Sequence, residues 1–145
     1  MRIAFNAQLY PTESSYRATG IARYIRELVR RLPTIGPQHE YVFLVPPNVS
    51  VPHGSPSRLP TGNPFVRVAW EQLAEARIVR RLGAQIVHSP VNVSPLTLSE
   101  PSVVTLHDLS FLRHPDRFLP WKRWYQQTMS KLSTRNATRV IVPRG

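Results

Sequence analysis

The chain has 145 residues, 41% of them apolar and 19% charged, which suits one globular domain with its own core and excludes a disordered chain. It has no cysteine, which excludes a disulfide framework and a thiolate metal site. The net charge is +11 and nearly all of it is arginine, with Lys122 and Lys131 the only lysines. Such a surface favours polyanions: phosphates, nucleotide sugars, anionic lipid headgroups or nucleic acid.

No apolar run is long enough to span a bilayer. The opening residues, Met1 to Asn6, turn polar too early for a signal peptide. A cytoplasmic location is the simplest expectation. Arg2–Ala7 reads as a first strand, and residues 8–19 as a long polar loop of a kind that is often functional. Thr19 is placed to cap a helix that opens with Gly20. Ile21, Ile25, Leu28, Val29 and Leu32 then form one apolar face, and Pro33 is expected to stop the helix.

Glu40–Val45 reads as a second strand, followed by a Pro- and Ser-rich loop over 46–64. Phe65–Ala69 reads as a short third strand, Trp70–Leu82 as a helix capped by Gly83, and Ala84–Val87 as a fourth strand ending in His88-Ser89-Pro90. Residues 91–101 are too Pro-rich for a good crossover helix. Val103–Leu106 lack any charge and read as a fifth strand, buried on both faces, that ends abruptly in His107 and Asp108. Trp121–Ala137 reads as a helix with Trp121, Trp124, Tyr125, Met129 and Leu132 on one face, taken as core or interface, and Arg139–Val142 as a last strand. Strands alternating with helices predict an α/β fold: a Rossmann-like, doubly wound parallel sheet between two helical layers, in the order 3-2-1-4-5-6.

In such a sheet ligands bind outside the carboxyl ends of the strands. That rule gathers the loop before Gly20, His88-Ser89 and His107-Asp108 along one rim. The N–H groups of a Gly-led helix start favour an anion, and Arg23 one turn in adds charge; a turn requirement alone also explains the glycine. His107 can exchange a proton near neutral pH and Asp108 can orient it; a backbone-bonded His beside an Asx turn is the structural alternative. His88 fits a turn before Pro90, with Ser89 free to bond a ligand hydroxyl. Metal-ligand spacing, a Gly-x-Gly-x-x-Gly fingerprint and a Ser nucleophile elbow are all missing, so no metal, nicotinamide or flavin cofactor is expected.

Several segments resemble family-4 glycosyltransferases of the GT-B fold. Thr19-Gly20-Ile21-Ala22-Arg23-Tyr24 with Arg26-Glu27-Leu28 is followed, in the family's order, by Trp70-Glu71-Gln72-Leu73 and Ile86-Val87-His88-Ser89-Pro90. Val104-Thr105-Leu106-His107-Asp108-Leu109-Ser110-Phe111 and His114-Pro115-Asp116-Arg117-Phe118 complete the set. The resemblance implies the N-terminal, acceptor-side domain of a retaining, metal-independent transferase that uses a nucleotide-activated sugar. It implies that Gly20, Ile21 and Arg23 meet the donor diphosphate. It places His107 and Asp108 at the reacting sugar, and Tyr16, Arg17, His88 and Ser89 at the acceptor.

Asn6 stands where the family often has Asp. The nucleotide-binding C-terminal domain, with its paired glutamates, is not within these 145 residues, so the chain is expected to be a single truncated domain that is inactive alone. Expected partners are the nucleotide-sugar donor, a glycan or lipid acceptor, an anionic membrane surface touched peripherally, and a second copy in a homodimer. No specific nucleic acid is expected. The competing class is a non-catalytic basic module for polyanions.

Overall fold

The computed structural model describes residues 1–11, 20–59, 64–106 and 120–142. Tyr16, Arg17, Thr19, His107, Asp108 and His114–Phe118 lie outside the described residues.

The strands are β1 (Arg2–Asn6), β2 (Glu40–Val45), β3 (Gly54–Pro56), β4 (Ile86–Ser89), β5 (Ser102–Thr105) and β6 (Arg139–Ile141). They form one parallel sheet in the order β3-β2-β1-β4-β5-β6, the doubly wound order expected from the alternation of elements. The helices are α1 (Gly20–Ile35), α2 (Pro64–Ala69), α3 (Glu75–Arg81) and α4 (Pro120–Asn136), with a π-helical turn at Trp70–Ala74 joining α2 to α3.

Strand alternation sends successive residues of β1 and β2 to opposite faces. Phe5 and Phe43 pack with Ile25 and Val29 of α1 on one face. Ala4 and Leu44 pack with Trp70, Val79 and Val87 on the other. β1 and β2 are therefore apolar on both sides, as a central parallel strand requires. Phe5 is fully buried, with its ring edge-on to Phe43 at 5.8 Å and to His88 at 4.9 Å between centroids.

Four sequence expectations need correction. Helix α1 continues through Pro33 to Ile35. Proline forfeits one backbone hydrogen bond, but the Gly36 N–H still reaches the Leu32 carbonyl at 2.9 Å and closes the last turn. Phe65–Ala69 is helical, because Pro64 opens α2 at the first helical position, where its missing N–H costs nothing. The third strand is instead Gly54–Pro56, inside the stretch read as loop. It has no apolar pattern and is held by backbone bonds, Phe43 N–H to His53 O at 3.0 Å and Ser57 N–H to Val45 O at 2.9 Å. On α4 the inward positions are Ser130 and Ser133, while Trp124 is 66% exposed and Trp121 stacks on Phe65 at 4.7 Å.

Gly83 ends α3 as expected. Its φ of +67° permits the paired return bonds of a Schellman cap, Gly83 N–H to Arg80 O at 3.1 Å and Ala84 N–H to Val79 O at 3.2 Å. The cap turns the chain directly into β4.

Candidate functional site

The crevice of this sheet lies between β1 and β4, where the strand order reverses, outside their carboxyl ends. Gly20 starts α1 on that edge. A Cβ placed on Gly20 meets nothing within 4 Å among the described residues. Gly20 and Arg23 are exposed and Ile21 half-buried.

His88 and Ser89 lie within β4 rather than after it, because the strand runs two residues further than the sequence pattern indicated. Consecutive strand residues face opposite ways, so the two are separated by the sheet. His88 turns to the α1 side, against Phe5, and shares a 2.9 Å hydrogen bond between Nε2 and Thr105 Oγ1. Ser89 turns to the α3 side and is fully buried, with no hydrogen-bond partner for its Oγ.

The sequence reading missed an acidic pair, Glu75 buried and Glu71 half-buried. Glu71 and Glu75 stand one turn apart on the joined helix, and both approach the end of β1. Asn6 is 6% exposed, and its Nδ2 donates to Glu75 Oε2 at 3.4 Å and also to the Glu71 carboxylate. Its Oδ1 accepts the Gln8 N–H at 3.1 Å. Burial pushes the Glu71 carboxyl up to about 7, against the opposing pull of Arg67 and of the Asn6 bond. Glu75 is fully enclosed, and burial followed by the Glu71 charge raises it well above the ordinary carboxylate range. Burial thus favours the protonated form of both carboxyl groups. Burial, then the Glu71 charge, pushes the Tyr125 phenol up to about 12.

The π turn makes this arrangement possible. The Glu75 N–H bonds back to the Trp70 carbonyl, five residues earlier. Such turns often occur at functional sites. Around it, three consecutive residues have three separate tasks. Trp70 fills the core under β1 and β4. Glu71 lines a narrow cleft. Gln72 grips the loop after β4, donating to Ser94 O and accepting from the Leu96 N–H, each at 3.3 Å. Ser133 of α4 holds the same loop, its Oγ accepting the Ser94 N–H at 3.0 Å. The cleft so formed has a volume of about 30 Å³ and is lined by Asn6, Leu9, Arg67, Val68, Glu71, Val91, Val93, Tyr125 and Gln126. The signal available in the sequence was the i, i+4 spacing of two glutamates on an otherwise apolar helix face.

The family model for glycosyltransferase family 4 matches residues 18–144, which includes every helix and strand described here except β1. No curated protein and no solved structure matches the chain. The parallel sheet with helices on both faces is the Rossmann-like arrangement of the GT-B type. From the family match over most of its length, the chain belongs to glycosyltransferase family 4.

Proposed function

We propose that this chain is the acceptor-side domain of a retaining glycosyltransferase, which moves a sugar from a nucleotide-sugar donor to a glycan or lipid acceptor. The observation that carries this reading is the family match laid on a doubly wound sheet whose switch point is lined by polar groups. Gly20 and Ile21 bring first-turn backbone N–H groups to the start of α1, which suits a diphosphate, with Arg23 supplying a countercharge. His107 and Asp108, which come after β5 in the sequence, act at the reacting sugar. Tyr16 and Arg17 contact the acceptor, and His88 and Ser89 support its site from below. A second α/β domain supplies the main nucleotide contacts, so this domain alone does not complete the transfer.

The exposed arginines of α1, Arg23 and Arg26 among them, support peripheral contact with an anionic membrane on its cytoplasmic face. Among the described residues no helix is long and apolar enough to cross a membrane.

The test is transfer from radiolabelled nucleotide sugars. The chain alone is expected to transfer nothing, and a protein joining it to a nucleotide-binding second domain to be active. In that active protein His107→Ala should lower turnover by about 10²-fold or more with folding intact, the usual range for losing an acid–base group. Transfer by the isolated chain, or a His107→Ala variant as fast as its parent, contradicts the assignment.

A further inference from the structure

We infer that Glu71 is an acceptor-binding residue, and that the cleft between β1 and β4 takes one hydroxyl of a neutral, sugar-class acceptor. This rests on the glycosyl-transfer reading and narrows it, from any glycan or lipid to a ligand that enters hydroxyl first.

Size sets the first limit. A cleft of about 30 Å³ has room for a single water or one ligand hydroxyl, not for a phosphate group. Hydrogen-bond inventory sets the second. The two Nδ2 hydrogens of Asn6 are engaged by Glu71 and Glu75, and its Oδ1 by Gln8. Asn6 is thus spent on holding the carboxylates in place. The carboxylate of Glu71 keeps further acceptor capacity, while Arg67 and Gln126 bring donors to the same cleft. A group that both donates and accepts satisfies that set, and a hydroxyl does both. A bare anion cannot donate to Glu71.

Charge and walls agree with this. Glu71 is the single carboxyl group and Arg67 the single cation lining the cleft among the described residues. Leu9, Val91 and Val93 give the cleft apolar sides. A pyranose presents the same mixture, hydroxyls at its edge and C–H groups on its faces. The π turn at Trp70–Ala74 gives the site its shape, because it lets Trp70 face the core while Glu71 faces the cleft.

The experiment is an amide chemical-shift map of the ¹⁵N-labelled chain during titration with methyl α-D-glucopyranoside, the corresponding mannoside and galactoside, and inorganic phosphate. At least one glycoside should move the amides of Asn6, Glu71, Val91 and Val93. Phosphate should leave those four in place. Glu71→Gln, checked for an otherwise unchanged spectrum, should weaken that glycoside about 10-fold or more, as expected for loss of a bond to a charged group. If that variant does not fold, Gln126→Ala serves instead, with a smaller weakening of about 3-fold or more. Glycoside shifts confined to Gly20 and Ile21, with the cleft silent, overturn the role of Glu71 and leave glycosyl transfer standing. Glycosides that move no amide anywhere overturn both. Phosphate shifts at the cleft amides overturn the neutral-ligand assignment.

Discussion

Asn6 has two amide hydrogens and two carboxyl groups to receive them. An Asp at this position would replace a shared donor with a third acidic group. Asn6→Asp should therefore destabilise the domain by about 1–3 kcal/mol near pH 8, the usual cost of a buried polar group left without a partner, and by much less near pH 5. Urea unfolding at the two pH values checks this. The carboxylate pair also sets a pH dependence. Glu71 and Glu75 both titrate higher in the folded chain than their ordinary value of 4.5. The unfolded state thus loses those protons first, and their contribution is greatest below pH 4.5. It falls as pH rises, that of Glu71 through about 7 and that of Glu75 well above the ordinary 4.5. The melting temperature should decline from pH 5 to pH 8, and Glu75→Gln should flatten the decline. A steeper decline in that variant would contradict the upward shift of Glu75. Asn6 was recognisable in the sequence as a departure from the family pattern. Its task was not, because the partners lie 65 and 69 positions away and only the fold brings them near.

Elements with a strong period were legible from the sequence, and those held by backbone alone were not. The apolar stripe of α1 and the alternation of β2 place Ile25, Val29 and Phe43 in the core, where the structure has them. Gly54–Pro56 has no stripe to read, since an edge strand of Gly, Ser and Pro owes its place to the ladder. Phe65–Ala69 carries β-branched residues that favour a strand, yet the helix that Pro64 opens overrides that preference. The cap at Gly83 was legible because few residues tolerate its positive φ. Gly83→Ala should cost about 1–2 kcal/mol, the price of a left-handed conformation for a residue with a Cβ, and a chemical denaturation curve reads it directly. At the centre of the sheet, Phe5→Ala removes a fully buried ring that touches both Phe43 and His88. It should cost about 3–5 kcal/mol in the same experiment. A loss near zero would mean that the ring does not occupy the core described.

At the scale of the molecule, composition gave class and charge, and alternation gave the sheet order, because right-handed crossovers leave few other ways to wind these elements. Of the rim of polar strand ends read from the sequence, Gly20, His88 and Ser89 lie among the described residues. The orientations of the last two were not legible: His88 and Ser89 differ by one residue and so face opposite sides of the sheet. The acidic cleft was illegible for a related reason, since it needs β1, the π turn, the loop after β4 and helix α4 together. The high positive charge raises the competing reading of a polyanion module, and ionic strength separates the two. The most direct measurement is therefore binding of glycosides and of duplex DNA to the same chain, at about 50 and about 200 mM salt. The account predicts glycoside binding that localises to the β1–β4 edge and does not change with salt, and DNA binding that is weak, indifferent to sequence and collapses as salt rises. Tight, sequence-selective DNA binding with no response to any glycoside would contradict it.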